Sequence, residues 1–118
     1  MATFRQRVDA ICAPLPGAEA SDPAQGDLDS WKVGGKMFAT FGDKIDGVAV
    51  KTPSTENAAM LIDAGVGSKA PYFHRSWIRL PSTCPQDELR HRLHVSYDTI
   101  RSGLPKKAQT ALAPREEA

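Results

Sequence analysis

Two adjacent glycines, Gly34 and Gly35, stand between two runs of strand-forming residues, and no other feature limits the possible folds as sharply. A two-residue turn needs positive φ, which glycine adopts at no steric cost, so residues 28–41 are predicted as a β-hairpin. The turn also predicts the register. Val33 is expected opposite Lys36 and Trp31 opposite Phe38, both aromatics on one face, with Lys32 and Met37 on the other. A second turn at residues 42–47 leads into 48–51 and extends the hairpin to an antiparallel meander.

Helical patterns flank the meander. Thr3 and Gln6 have the spacing of a capping box, and Phe4, Val8, Ile11 and Cys12 recur at helical intervals until Pro14. Leu15-Pro16-Gly17 reads as a turn, and the acidic stretch to Asp29 is expected to hold one short strand. Thr52 is expected to cap the next helix with Pro53 at its first position, Ala58, Leu61 and Ile62 forming the apolar face up to Gly65. A loop follows at residues 65–69. Trp77 to Leu80 reads as a strand with Ile78 and Leu80 on one face, ended by Pro81. The longest helix starts near Pro85, places Asp87 and Glu88 at the positive end of its dipole, and carries Leu89, Leu93, Tyr97 and Ile100 before Gly103. Leu104-Pro105-Lys106-Lys107 begins a short final turn or helix. Residues 113–118 have too little to bury to stay ordered. The expectation is one α+β domain over residues 1–112, an antiparallel meander with helices packed on one face.

Composition excludes several classes. A chain of 118 residues with 41% apolar and 25% charged side chains is expected to bury one core. No apolar run approaches the roughly 20 residues of a membrane span, and Arg5, Arg7 and Asp9 stand where a signal peptide would be apolar, so a cytoplasmic protein is expected. Cys12 and Cys84 are expected as reduced thiols, Cys12 buried on an apolar helix face and Cys84 just before a helix, where the dipole could lower its pKa but no plainly placed base would make it reactive. Gly34-Gly35-Lys36 joins strands and does not open a helix, which excludes a phosphate loop. His91 and His94, with His74, lack evident co-ligands, so no metal is expected. Ser76, Ser96 and Cys84 occur in no nucleophile motif, and no carboxylates pair. The expectation is a non-enzymatic binding module without a cofactor.

Charge is distributed unevenly. Residues 1–64 hold six Lys/Arg against nine Asp/Glu, residues 65–112 eight against three, and the last six residues one against two, within a net charge of +1. The basic half contains its densest chemistry at residues 69–79, where aromatic rings alternate with cations. Cations neutralise phosphates and aromatic faces stack on bases, so this mixture suits nucleic acid. At 100° per residue, Arg90, His94 and Arg101 fall within about 40° of one another, a basic stripe beside the apolar face of the long helix.

Trp31, Gly34-Gly35-Lys36 with Phe38, Val50-Lys51-Thr52, Ala70-Pro71-Tyr72-Phe73-His74 leading to Trp77, and Ser96-Tyr97 followed by Leu104-Pro105-Lys106-Lys107 resemble, in order and spacing, the MmcQ/YjbR family over residues 3–112. The resemblance implies a frataxin-like (CyaY-like) α+β arrangement and a proposed DNA-binding role. Frataxin-like iron binding would need an acidic ridge on the first helix, which here offers Arg5, Arg7 and only Asp9.

The expected function is a DNA-binding module with weak or non-specific phosphate contacts. Lys36 would act as a wing, Arg75, Arg79, Arg90, Arg101, Lys106 and Lys107 would contact phosphates, and Tyr72, His74 or Trp77 would probe a groove or an exposed base. The alternative is a non-catalytic domain that binds an anionic protein or metabolite through the same patch.

Overall fold

The computed structural model describes residues 2–21, 29–42, 45–71 and 73–114. Its elements run α1 (Phe4–Cys12), β1 (Ala18–Ala20), β2 (Ser30–Val33), β3 (Lys36–Gly42), β4 (Ile45–Lys51), α2 (Thr55–Asp63), β5 (Ser68–Lys69), β6 (Trp77–Leu80), α3 (Gln86–Ser102) and α4 (Lys106–Thr110). The strands form a six-stranded sheet in the order β1-β2-β3-β4-β6-β5, every neighbouring pair antiparallel. The fold is α+β, as the patterning predicts.

The predicted local signals account for most boundaries. Thr3 and Gln6 form a reciprocal capping box on α1, with Thr3 Oγ1 accepting from the Gln6 amide at 3.1 Å and Gln6 Oε1 from the Thr3 amide at 2.9 Å. The expected strand of the acidic stretch falls at β1. Residues 22–28, 43–44, Tyr72 and the tail residues 115–118 lie outside the described residues.

The hairpin turn is as expected, but the register departs from it one pair further on. Val33 opposes Lys36 and Lys32 opposes Met37, whereas Trp31 opposes Ala39 and not Phe38. Phe38 is the extra residue of a β-bulge, and a bulge turns two successive side chains toward the same face. Phe38 and Ala39 are both fully buried, and the Phe38 ring meets Tyr97 of α3 edge-on at 5.4 Å and 85°. Opposite a small alanine, Trp31 has room to reach α1, where its Nε1 donates to Asp9 Oδ1 at 2.9 Å. Ser96 satisfies the backbone that the bulge disturbs, donating to the Phe38 carbonyl at 2.5 Å and accepting from the Lys51 amide at 2.8 Å.

Three smaller expectations are corrected. Ser54, not Thr52, caps α2, accepting from the Asn57 amide at 3.1 Å. Thr52 is buried at the end of the strand, its amide and hydroxyl both bonded to the Ser76 carbonyl. Ile62 is 38% exposed, since the core direction of α2 bisects Ala58 and Leu61 and leaves Ile62 at its margin. The expected loop at 65–69 contains β5, which pairs with β6.

Register assigns the two faces of the sheet. Val33, Ala39, Val48, Val50, Ile78 and Leu80 share one core cluster with Val8 and Ile11 of α1, Ala58 and Leu61 of α2, and Leu89, Leu93 and Tyr97 of α3. Ser30, Thr40, Ala49, Arg79 and Ser68 form a continuous row of paired positions on the opposite face. Among the described residues, α1, α2 and α3 all pack on the first of these faces. No helix among the described residues is long and apolar enough to cross a membrane.

Candidate nucleic-acid interface

Antiparallel pairing brings the β2–β3 turn, the end of β4, the start of β6 and the end of β5 to the same end of the sheet. Lys51 opposes Trp77, and Lys69 opposes Ile78, the next residue of β6. Lys36 begins β3, two strand spacings or about 10 Å from β6. The chain leaves β4 through Thr52 into α2 and returns from β5 through residues 70–76, so the start of α2 and this connection face each other across the sheet end.

Between them lies a groove of about 570 Å³, lined by Thr55, Ala59 and Ile62 of α2, by Phe73 and Arg75 of the connection and by Trp77 of β6, with Glu56 and Lys69 at its rim. The rings of Phe73 and Trp77 lie 5.1 Å apart at 31°, each half-buried. Glu56, Lys69, His74 and Arg75 are exposed. A hydrogen-bonded latch fixes the connection. Ser76, buried, accepts from Lys51 Nζ and donates to His74 Nδ1 at 2.8 Å, while the Ser76 amide also donates to Nδ1 at 3.2 Å. Neutral His74 therefore carries its proton on Nε2. With Ser76 Oγ buried and bonded to both its neighbours, this trio holds the turn in place.

The predicted site residues separate into those gathered at this end and those spent on the fold. His74, Arg75 and Trp77 line the groove, and Lys36 stands exposed at the hairpin turn. Lys106 and Lys107 are exposed at the start of α4, which Leu104 fastens beside the same turn: a Cβ on Gly34 would fall 2.6 Å from Leu104 Cδ1. Arg79 is committed elsewhere, its Nε donating to Ser68 Oγ at 3.0 Å and Nη1 to the Asp46 carbonyl at 2.6 Å, which ties β5 and β4 to β6. The Asp46 carboxylate accepts from the Ser82 amide at 3.0 Å, and this bond, with the Arg79 charge, holds its pKa below the usual carboxylate range. Arg101 donates to the Tyr97 hydroxyl at 3.0 Å and the Leu112 carbonyl at 3.3 Å, and Tyr97 donates onward to the Pro16 carbonyl at 2.5 Å. Arg90 is exposed but stands six residues before Ser96, about 9 Å along α3 toward the far end of the sheet. Tyr72 is outside the described residues.

Sequence reasoning missed the α2 wall of the groove and the Lys51–Ser76 latch, since neither side chain belongs to a motif until β4 and β6 pair. The long helix's dipole, which could lower the Cys84 pKa, does not prevail. Burial and the neighbouring Glu88 instead push the Cys84 thiol up, and burial does the same to Cys12. Among the described residues, no three His, Cys, Asp or Glu side chains stand close enough to hold a metal.

No curated protein and no solved structure gives a significant match to this chain. A family model described as YjbR matches residues 13–99, which span β1 through most of α3 and include the groove, the latch and the hairpin but not Arg101, Lys106 or Lys107. The order of motifs over the hairpin, the aromatic connection and the long helix thus has its counterpart in a match to most of the chain, which belongs to the MmcQ/YjbR family.

Proposed function

We propose that this chain is a small, non-catalytic DNA-binding module that holds phosphates at the groove end of its sheet. The observation that carries the reading is the gathering of Lys36, Lys69, Arg75, Lys106 and Lys107, all exposed, by strand register and by the Leu104 contact. Among the described residues, ion pairs form elsewhere, at Arg5 with Asp9 and Asp29, Arg79 with Asp46, and Arg92 with Glu88. Carboxylates there are neutralised, while this end keeps a surplus of positive charge that attracts a polyanion. Contacts of this kind position a protein on the backbone and carry no sequence information, so binding is weak and largely non-specific. The same reading gives a cytoplasmic setting and requires no cofactor.

Titration of a labelled duplex by fluorescence anisotropy over a salt series tests it. If about four cations neutralise phosphates, log K falls against log salt with a slope of roughly −3.6, at about 0.9 per contact. Absence of binding at about 50 mM salt removes the DNA reading. The apolar walls of the groove would then favour the other use of this patch, capture of an anionic protein segment or small anion.

A further inference from the structure

We propose that the groove between α2 and Lys69, Phe73, Arg75 and Trp77 receives one unstacked base of single-stranded nucleic acid, so that the strand this protein prefers is single. This rests on the nucleic-acid reading above and specifies its ligand. In a duplex both faces of every base are covered by stacked neighbours, and no base can lie flat against a side chain unless it leaves the stack. The groove has the walls such a base needs. Phe73 and Trp77 present aromatic surface on one side, and Ala59 and Ile62 of α2 form an apolar wall on the other, with Ile62 38% exposed although nothing in the core requires it there. Its volume of about 570 Å³ lies within the range of sites that enclose small flat ligands.

Charge orients the strand. The side chains of Lys69 and Arg75, on the aromatic side, form no ion pair or hydrogen bond among the described residues, whereas Glu56 stands at the α2 rim. Phosphates flanking the inserted base are attracted to the first side and repelled from the second. Because Glu56, Lys69 and Arg75 are all exposed, the rim is open to solvent and a strand can enter and leave. The latch of Lys51, Ser76 and His74 fixes the turn that leads into Trp77, so its ring is positioned before any ligand arrives.

The test uses the full chain with a labelled twelve-nucleotide oligothymidylate, the corresponding duplex, and thymidine monophosphate as competitor, at one salt concentration. The single strand is expected to bind at least about tenfold more tightly than the duplex, within the range that base–aromatic stacking supplies. Trp77→Ala should remove that advantage, lowering single-strand binding far more than duplex binding. Ala59→Gln, at an exposed helical position where folding is not at risk, should do the same by filling the groove without adding charge. Equal affinity for both forms, unaffected by Ala59→Gln, overturns the inference while the DNA reading stands. Thymidine monophosphate binding as tightly as the oligonucleotide also overturns it, because the ligand would then be a free nucleotide. Failure of both strand and duplex to bind removes the inference together with the reading beneath it.

Discussion

Phe38 and Trp31 divide the work that a simple hairpin would have shared between them. Phe38 is wholly enclosed beneath α3, and its truncation leaves a cavity that no neighbour can fill, so Phe38→Ala is expected to cost about 3–5 kcal/mol in urea melts. Trp31→Phe keeps most of the ring and loses the hydrogen bond to Asp9, a cost of about 1 kcal/mol. Similar losses from the two variants would contradict the bulged register. The thiols permit a second check. With Cys12 and Cys84 buried and their pKa values raised, both are protonated at neutral pH, and a thiol-disulfide reagent should label them only as fast as the protein opens. Rapid labelling of native Cys84 would show that the helix dipole outweighs burial after all. At this scale the sequence reveals identity but not environment. The glycine turn was legible and predicted Val33 opposite Lys36, yet nothing in Phe38 itself marks it as the extra residue, because a bulge is stabilised by Ser96 on a distant helix.

Elements were legible where the signal is local. The capping box of α1, the hairpin, β6 and α3 each follow from residues within a few positions of one another. The start of α2 shows why other boundaries were not: Thr52-Pro53 and Ser54 both offer a cap, and the choice falls on Ser54 because Thr52 is drawn into the sheet by the Ser76 carbonyl. A two-residue strand such as β5 has no periodicity to read, and only its pairing with β6 defines it. The β4–β6 pairing makes its own prediction. Gly47 has φ +95, and a Cβ there would lie 1.7 Å from the Leu80 carbonyl oxygen, a backbone atom that cannot move without breaking the ladder. Gly35 has φ +81 but open space around it. Gly35→Ala should therefore cost about 1 kcal/mol of conformational strain, and Gly47→Ala clearly more than the 1–3 kcal/mol typical of strain alone, or prevent folding. Equal melts for the two variants would mean that β6 does not lie where its register puts it.

For the whole molecule, the sequence disclosed that the second half is basic but not which cations share a surface, since only strand order shows that Lys36 and Arg75 stand at one end and Arg90 at the other. That distinction is testable with variants of equal charge. Arg75 and Arg90 are both exposed and form no ion pair among the described residues, so Arg75→Glu and Arg90→Glu change net charge equally with little effect on stability. Arg79→Glu is unsuitable as a probe, because it would break the bonds to Ser68 and Asp46 that join three strands, and Arg5→Glu would break two ion pairs. If phosphates sit at the groove end, Arg75→Glu weakens duplex binding and flattens the salt slope by about 0.9, the value of one contact, whereas Arg90→Glu leaves the slope unchanged and the affinity nearly so. Thermal melts of both proteins, run beside the titrations, separate lost binding from lost folding. Should the two variants weaken binding equally, attraction comes from the overall field of the basic half and no particular end of the sheet holds the DNA.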